Sequence, residues 1–245
     1  RLVKSLYGLK QSAHIWNLAL DTEMRRLELR PSLVDPCFYY GTSSLGRIMM
    51  VGHVDDCIGA AESEACFANF VKAFCYPLST WGPLKYVLKI VVRQADGCVY
   101  LSQVAYIERM ATRFGVEKAN AKWTPMEVGA VLSKEQAPEP GSEDAKVMAK
   151  VPYRELYGAL LYASENRPDI KGAMSVLGRF CHNPGMMHWK ALKRVLVYLN
   201  TTKSRELCIG RHVKNAALDM VTIMVDADHG GCLDTRRSTS GVWIT

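Results

Sequence analysis

The sequence predicts an α+β protein: a mixed α/β region, then a mostly helical region, then the start of another sheet. Three observations predict this order. Helix and strand patterns alternate over residues 14–114, residues 125–150 are rich in proline, and helical periodicity dominates from residue 153. Apolar residues make up 49% and charged residues 22% of the 245 residues, which is typical of a globular protein rather than a disordered one.

The first half of the chain alternates between the two periodicities. An apolar stripe predicts a helix over 14–29, with Glu23 on its solvent side. Arg30-Pro31 ends this helix, because the residue before a proline avoids helical geometry. The elements predicted next are a strand at 37–40, a turn at 41–46, a strand at 47–54, a helix at 62–75, a hairpin of 84–92 with 98–101, and a helix running to Phe114 that Ser102 caps.

The second half begins with a change of composition. Residues 125–150 contain three prolines and few large apolar side chains, which predicts a linker or a long loop. Helical patterns follow near 153–165, 169–182 and 187–200, and a strand pattern occupies 217–226. Both ends of the chain cut through predicted structure, so we expect a fragment.

Charge and cysteine usage exclude several classes of protein. Lysine and arginine number 31 against 24 acidic residues, a net charge of +7 that favours a polyanionic partner such as nucleic acid. No apolar run is long enough to span a membrane. The eight cysteines form no Cys-x-x-Cys pair, which argues against a zinc knuckle. We expect a reduced, intracellular protein.

The most informative segment is Met49–Gly59, in which two apolar stretches flank the adjacent Asp55 and Asp56. No glycine or asparagine lies between them to form a conventional turn. Two carboxylates at a hairpin tip are unfavourable unless a cation compensates their charge, and Mg²⁺ prefers such hard oxygen ligands. Two Mg²⁺ ions can serve phosphoryl transfer in this way. The alternative is a solvated Asp-Asp hairpin end, and spacing alone favours that alternative.

Short motifs in colinear order along nearly the whole chain change this balance. They are Leu6-Tyr7-Gly8-Leu9-Lys10-Gln11-Ser12, Asp35-Pro36-Cys37-Phe38, His53-Val54-Asp55-Asp56, Gly82-Pro83-Leu84-Lys85-Tyr86-Val87-Leu88, Gly158-Ala159-Leu160-Leu161-Tyr162, His188-Trp189-Lys190 and Asp226-Ala227-Asp228. This set strongly resembles the reverse transcriptase of copia-type LTR retrotransposons. His53-Val54-Asp55-Asp56 is similar to the Tyr-Val-Asp-Asp catalytic hairpin of that family.

The resemblance implies a right-hand polymerase, an RNA-directed DNA polymerase that acts on an RNA template, a DNA primer and deoxynucleotide triphosphates. Other segments of a parent polyprotein are further partners, and a cytoplasmic virus-like particle is the implied location. The implied layout is a partial palm at 1–100, thumb entry at 101–124, a loop or linker at 125–150, a helical thumb or connection at 151–215, and a truncated RNase H-like domain at 216–245.

The resemblance also assigns the acidic residues. Asp55 and Asp56 are implied to be two of three palm carboxylates that bind Mg²⁺, with Mn²⁺ as an alternative. The third is implied to lie upstream of Leu6, so we expect no polymerisation by this chain alone. Asp226 matches the first of four metal-binding acids of RNase H, and because the others are implied to follow Thr245, we expect no RNase H activity.

Basic and polar residues complete the candidate site. The resemblance implies that Lys10 and Gln11 lie near the template and the nucleotide, and that His53 lies beside the catalytic acids. Lys190, Lys193 and Arg194 share one helix face by their spacing, which suits phosphate contacts. The alternative is an ordinary solvated helix surface with Trp189, Leu192, Val195 and Leu196 turned inward.

Four positions depart from the family pattern. His53 replaces tyrosine, Lys89 replaces glycine, His229 replaces tryptophan, and Ala13 lies where Ser-Pro is common. Together they favour a second reading, a degenerate, non-catalytic retroelement remnant with at most residual nucleic-acid binding.

Overall fold

The structure is a computed structural model with two compact units, Arg1–Leu84 and Lys85–Thr245, each built around its own core. Antiparallel sheets and helices form both units, which confirms the predicted α+β class. Among the described residues, no helix is both long and apolar enough to cross a membrane. The described residues are 6, 8–43, 46–54, 56–79, 82–210 and 222–244.

The first unit packs two helices against one face of a four-stranded antiparallel sheet. Side chains alternate across the sheet, so that Tyr39 and Met50 are buried under the helices whereas Tyr40 and Met49 are exposed. The elements are α1 (Ser12–Arg26), β1 (Arg30–Pro31), β2 (Phe38–Ser43), β3 (Gly46–His53), β4 (Asp56–Ala61) and α2 (Glu64–Ala73), and the strand order is β1-β2-β3-β4.

Helix α1 ends at Arg26, earlier than the predicted boundary at residue 29. Glu28 takes a left-handed conformation with φ 65°. The Glu28 N–H donates to the Arg25 carbonyl and the Leu29 N–H to the Met24 carbonyl, at 3.0 and 2.9 Å. These two bonds form a Schellman motif, which satisfies the last carbonyls of the helix. The helix therefore stops before the proline is reached.

Glu23 is buried, and its predicted place on the solvent side of α1 is wrong. The Arg26 guanidinium donates to both carboxylate oxygens of Glu23, at 2.7 and 2.8 Å, and the Cys75 N–H donates to Oε1 at 2.7 Å. The bonds from Arg26 lower the pKa of Glu23 to about 2, against an opposing effect of burial. This carboxylate therefore ties α1 to the chain that follows α2.

Replacing Glu23 by glutamine should destabilise the first unit by about 1–3 kcal/mol at pH 7, because charged hydrogen bonds to a buried group are lost. The folded-state pKa lies below the usual 4.5, so this stabilisation is complete above about pH 4.5 and disappears as the pH falls toward 2. Urea titrations at pH 7 and pH 3, followed by circular dichroism, measure the difference between the two proteins.

Glu64→Gln is the matched control, because Glu64 is an exposed glutamate in the first turn of α2. Its loss should change stability by less than about 1 kcal/mol. An equal effect of both substitutions, or a Glu23→Gln effect that is the same at pH 3 and pH 7, would contradict the role of ionised Glu23 in stabilising the first unit.

The second unit combines a sheet of order β5-β6-β7-β8, a separate β9-β10 hairpin and a helical core. The helices confirm the predicted helical half, although α3 starts at Val104, and Ser102 is the last residue of β7 rather than a cap. The elements are β5 (Tyr86–Val87), β6 (Ile90–Ala95), β7 (Cys98–Ser102), α3 (Val104–Arg113), α4 (Glu143–Ala149), α5 (Tyr153–Ala163), α6 (Lys171–Gly178), α7 (Met186–Thr201), β8 (Leu207–Gly210), β9 (Ile223–Ala227) and β10 (Ser240–Ile244).

Residues 125–150 contain regular structure, although composition predicts a linker or loop. A 3₁₀ turn at Lys134–Gln136 precedes helix α4. The His188 ring fixes this segment to the start of α7: its Nδ1 accepts from the Gly185 N–H at 2.8 Å, so its Nε2 donates to the Ser133 carbonyl at 3.0 Å. Burial lowers the pKa of His188, which keeps the ring neutral for both bonds.

The predicted strand at 84–92 is interrupted by a tight turn. Leu88 and Lys89 both adopt left-handed conformations, with φ 45° and 64°, and β5 folds back to pair with the start of β6. The Tyr162 hydroxyl donates to the Leu88 carbonyl and so holds the turn against α5. Glycine suits such turns because it has no Cβ, and the family pattern has glycine where this chain has Lys89.

Replacing Lys89 by glycine should stabilise the second unit by about 0.5–1 kcal/mol, because the left-handed conformation is unfavourable for a residue with a Cβ. Thermal unfolding followed by circular dichroism measures the change. Lys89→Ala is the control: it removes the same exposed side chain, keeps the Cβ, and should give no gain. Equal stability of the glycine and alanine variants would show that the turn stores no such strain.

Candidate active site

The β3–β4 hairpin carries Asp56 next to its tip. His53 pairs with Asp56 across the hairpin, and Gly52 pairs with Cys57. Two residues separate these paired positions: Val54, which lies in the turn, and Asp55, which lies outside the described residues. Asp56 and His53 are both exposed, so the tip presents a carboxylate and an imidazole to solvent from facing positions.

Val54 takes a left-handed conformation with φ 57°. Two-residue hairpin turns usually require glycine, asparagine or aspartate there, and a β-branched residue is a true outlier. Such a conformation costs roughly 1–3 kcal/mol and persists only where surrounding contacts impose it. The sequence already shows that this turn has neither glycine nor asparagine. The structure shows that Val54 adopts the unfavourable left-handed conformation instead.

Trp16 supplies a contact that holds this turn. Its indole Nε1–H donates to the Val54 carbonyl at 2.5 Å, and its ring packs edge-on against Tyr76, with centroids 5.3 Å apart. Helix α1 therefore holds the backbone directly before Asp55. In the sequence Trp16 is an apolar position of the α1 stripe and follows the first family motif, but a contact across 38 residues leaves no local pattern that would predict its bond to Val54.

The metal-binding role predicted for the hairpin stays a prediction. Asp56 offers exposed oxygen ligands of the kind that Mg²⁺ prefers. Among the described residues no cluster of three histidines, cysteines, aspartates or glutamates is close enough to hold a metal ion.

Lys10 and Gln11 belong to the same unit as the hairpin. Both are exposed, and Gln11 directly precedes α1, the helix that carries Trp16. Their predicted proximity to template and nucleotide stays a prediction.

The three basic residues of α7 differ in their surroundings. Lys190 is exposed, and the Lys193 ammonium lies 5.5 Å from the centroid of the Trp189 ring. Arg194 is mostly buried, and donates to Glu127 and Thr124 at 2.9 Å each. The inward packing of Leu192, Val195 and Leu196 is confirmed, since all three are fully buried. Lys190 is thus the most accessible of the three for a phosphate contact.

Asp226 lies on β9 opposite Gly241 of β10 and is exposed. Its Oδ1 accepts the Ala227 N–H at 2.9 Å, and the neighbouring Asp228 carboxylate accepts the Thr239 N–H. Both aspartates border an open cleft of about 880 Å³ in the second unit, together with Arg179. The first residues of the predicted strand, 217–221, lie outside the described residues.

Comparison with known proteins decides the family. Residues 1–128 match the family model described as reverse transcriptase (RNA-dependent DNA polymerase). The matched region is more than half of the chain and includes the whole β3–β4 hairpin.

The chain belongs to the reverse transcriptase family. It is 35% identical over its full length to the retrovirus-related Pol polyprotein from transposon TNT 1-94 of Nicotiana tabacum and covers 18% of that polyprotein. Over 98% of its length it is 28% identical to the Pol polyprotein from transposon RE2 of Arabidopsis thaliana, covering 16% of it. The predicted resemblance to copia-type retrotransposon reverse transcriptases is confirmed.

A shorter relative also aligns along the reverse transcriptase chain. The putative transposon Ty5-1 protein of Saccharomyces cerevisiae is 27% identical over 98% of the chain, which covers 76% of that protein. The chain thus spans less than a fifth of the two polyproteins but most of this relative. No solved structure matches the chain.

Replacing Trp16 by phenylalanine should loosen the hairpin tip, because the ring remains but the bond to the Val54 carbonyl is lost. We expect a local destabilisation of about 0.5–1.5 kcal/mol, seen as faster amide hydrogen exchange in peptides of β3 and β4. Peptides from α7 are the internal control and should not change. Unchanged exchange in β3 and β4 would show that the turn does not depend on Trp16.

Proposed function

We propose that this chain forms part of the polymerase module of an RNA-directed DNA polymerase, with Asp55 and Asp56 as ligands of Mg²⁺ or Mn²⁺ at the incoming deoxynucleotide triphosphate. The observation that carries the proposal is the β3–β4 hairpin. It presents the exposed Asp56 at the tip of a helix-backed sheet, within the region that matches the reverse transcriptase family.

The chain's own residues would act by binding and positioning. In nucleotidyl transfer the primer 3′-oxygen attacks the α-phosphorus and pyrophosphate leaves, so negative charge gathers around the phosphates. Asp55 and Asp56 would hold the cations, and bound Mg²⁺ would supply the compensating charge. Trp16 would fix the turn, since its bond ends on the residue before Asp55. Lys10 and Gln11 would contact template and nucleotide.

The layout implied by the resemblance completes the proposal. Residues 1–100 would be palm, 101–124 thumb entry and 151–215 helical thumb or connection, with residues 216–245 starting an RNase H-like domain in which Asp226 binds metal. The grouping of β1–β4 with α1 and α2 in one unit supports a palm, and the helical core around α7 supports a thumb. RNA template, DNA primer and other polyprotein segments would be the partners.

A second candidate function is that of a non-catalytic remnant that at most binds nucleic acid. It is favoured by two departures at structurally demanding positions. His53 faces Asp56 across the hairpin tip, at the position where the family pattern has tyrosine. Lys89 occupies a left-handed turn position that glycine fits better.

Primer extension on a primed RNA template tests the proposal. The chain is compared with a version extended upstream by the matching segment of the tobacco polyprotein, which would supply the third carboxylate. We expect extension only by the longer protein, and Asp56→Asn should slow it by about 10²–10³-fold, as loss of an electrostatic group does at other sites. Asp144→Asn, an exposed aspartate in the first turn of α4, is the matched control.

His53→Tyr in the longer protein separates the two candidate functions. If the folded longer protein is inactive and His53→Tyr restores extension, the polymerase site is intact except for that residue. Inactivity of both the longer protein and its His53→Tyr variant would favour the remnant. Full activity of Asp56→Asn would overturn the assignment of the hairpin as the catalytic site.

A further inference from the structure

An exposed tryptophan lies on the segment that connects α3 to the 125–150 region. The side chain of Trp123 is 71% exposed. Large aromatic side chains bury substantial apolar area when they find a partner, so an indole held in water is a common feature of binding surfaces. Trp123 belongs neither to the β3–β4 hairpin nor to either hydrophobic core.

The backbone on both sides of Trp123 is fixed to α7. The Lys122 N–H donates to the Thr201 hydroxyl at 3.1 Å. On the other side, the Arg194 guanidinium donates to the Thr124 hydroxyl at 2.9 Å. The indole is therefore presented from an ordered support, and a ligand that stacks on it would not have to order the loop first.

The surroundings of Trp123 are cationic. Lys122 directly precedes it, and Arg194 contacts the residue directly after it. Lys190 lies one turn before Arg194 on the same face of α7 and is exposed. The Arg194 guanidinium and the Glu127 carboxylate form an ion pair at 2.9 Å and neutralise each other, so Lys122 and Lys190 supply the positive charge. A flat aromatic face beside cations matches a ligand with π-faces and phosphates.

We propose that Trp123 is a stacking platform for an unpaired nucleobase, with the exposed Lys190 of α7, the helix that holds the backbone around Trp123, as a contact for the backbone phosphates. The proposal rests on the proposed function, since it gives the polymerase module a contact for single-stranded template or primer. A base within a duplex is already stacked on both faces, so the platform selects unpaired nucleotides.

Fluorescence anisotropy with fluorescein-labelled dT16 and with a blunt 16-base-pair DNA duplex tests the platform. Trp123→Ala should weaken dT16 binding by about 5- to 150-fold, the usual effect of removing a stacked aromatic residue. Trp123→Phe should recover part of the affinity. Duplex binding should change by less than about twofold, because phosphate contacts dominate it.

Salt dependence separates stacking from charge. Trp123→Ala should leave the slope of log affinity against log salt unchanged, whereas Lys190→Ala should make it shallower by about 0.7 for the single strand. Val128→Ala is the matched control, since Val128 is an almost fully exposed apolar residue on the same segment. It should leave dT16 binding unchanged.

Two results would overturn the platform. If the unchanged chain binds dT16 and Trp123→Ala binds it equally well, the stacking proposal fails and the proposed function stands. A loss that is equal for dT16 and for the duplex would also remove the proposed preference for unpaired bases. If the unchanged chain binds neither probe, the platform and residual nucleic-acid binding by this chain both fail.

Discussion

The packing of α1 on the sheet is the constraint on which the first unit depends. One helix supplies Leu20 and Met24 to the core, Glu23 to the chain after α2, and Trp16 to the tip of the β3–β4 hairpin. A strained Val54 is tolerated because these contacts are made together. Any change that shifts α1 therefore reaches both the core and the acidic tip.

Helix α7 has the corresponding role in the second unit. Its apolar face is fully buried, and polar side chains along it fix the irregular segment that follows α3. The His188 ring at its N-terminus holds the Ser133 carbonyl, while Arg194 and Thr201 hold the residues around Trp123. A stretch rich in proline and poor in large apolar residues is ordered in this way, because hydrogen bonds to a rigid helix add to the few core contacts that Met126 and Leu132 make.

Membership of the reverse transcriptase family is the basis for proposing that the hairpin binds metal ions, and the structure adds how the hairpin is supported. The acidic tip, the indole that holds its backbone and the imidazole facing Asp56 form one local unit. The polymerase and remnant candidates share this architecture, and they differ in whether His53 allows a cation to bind at the tip. The left-handed turn at Leu88 and Lys89 is the other departure, and its expected effect is on the stability of the second unit.

The sequence by itself determined the family, the α+β class, the position of the acidic hairpin and most helices of the second half. Those features depend on local periodicity and on motif order, which are readable from neighbouring residues. Tertiary structure alone decided that Glu23 is buried, that Trp16 bonds to Val54, and that residues 125–150 are partly ordered. Each of these depends on partners 38 to 55 residues away, or on backbone geometry that a tertiary contact imposes, and periodicity carries no record of such contacts.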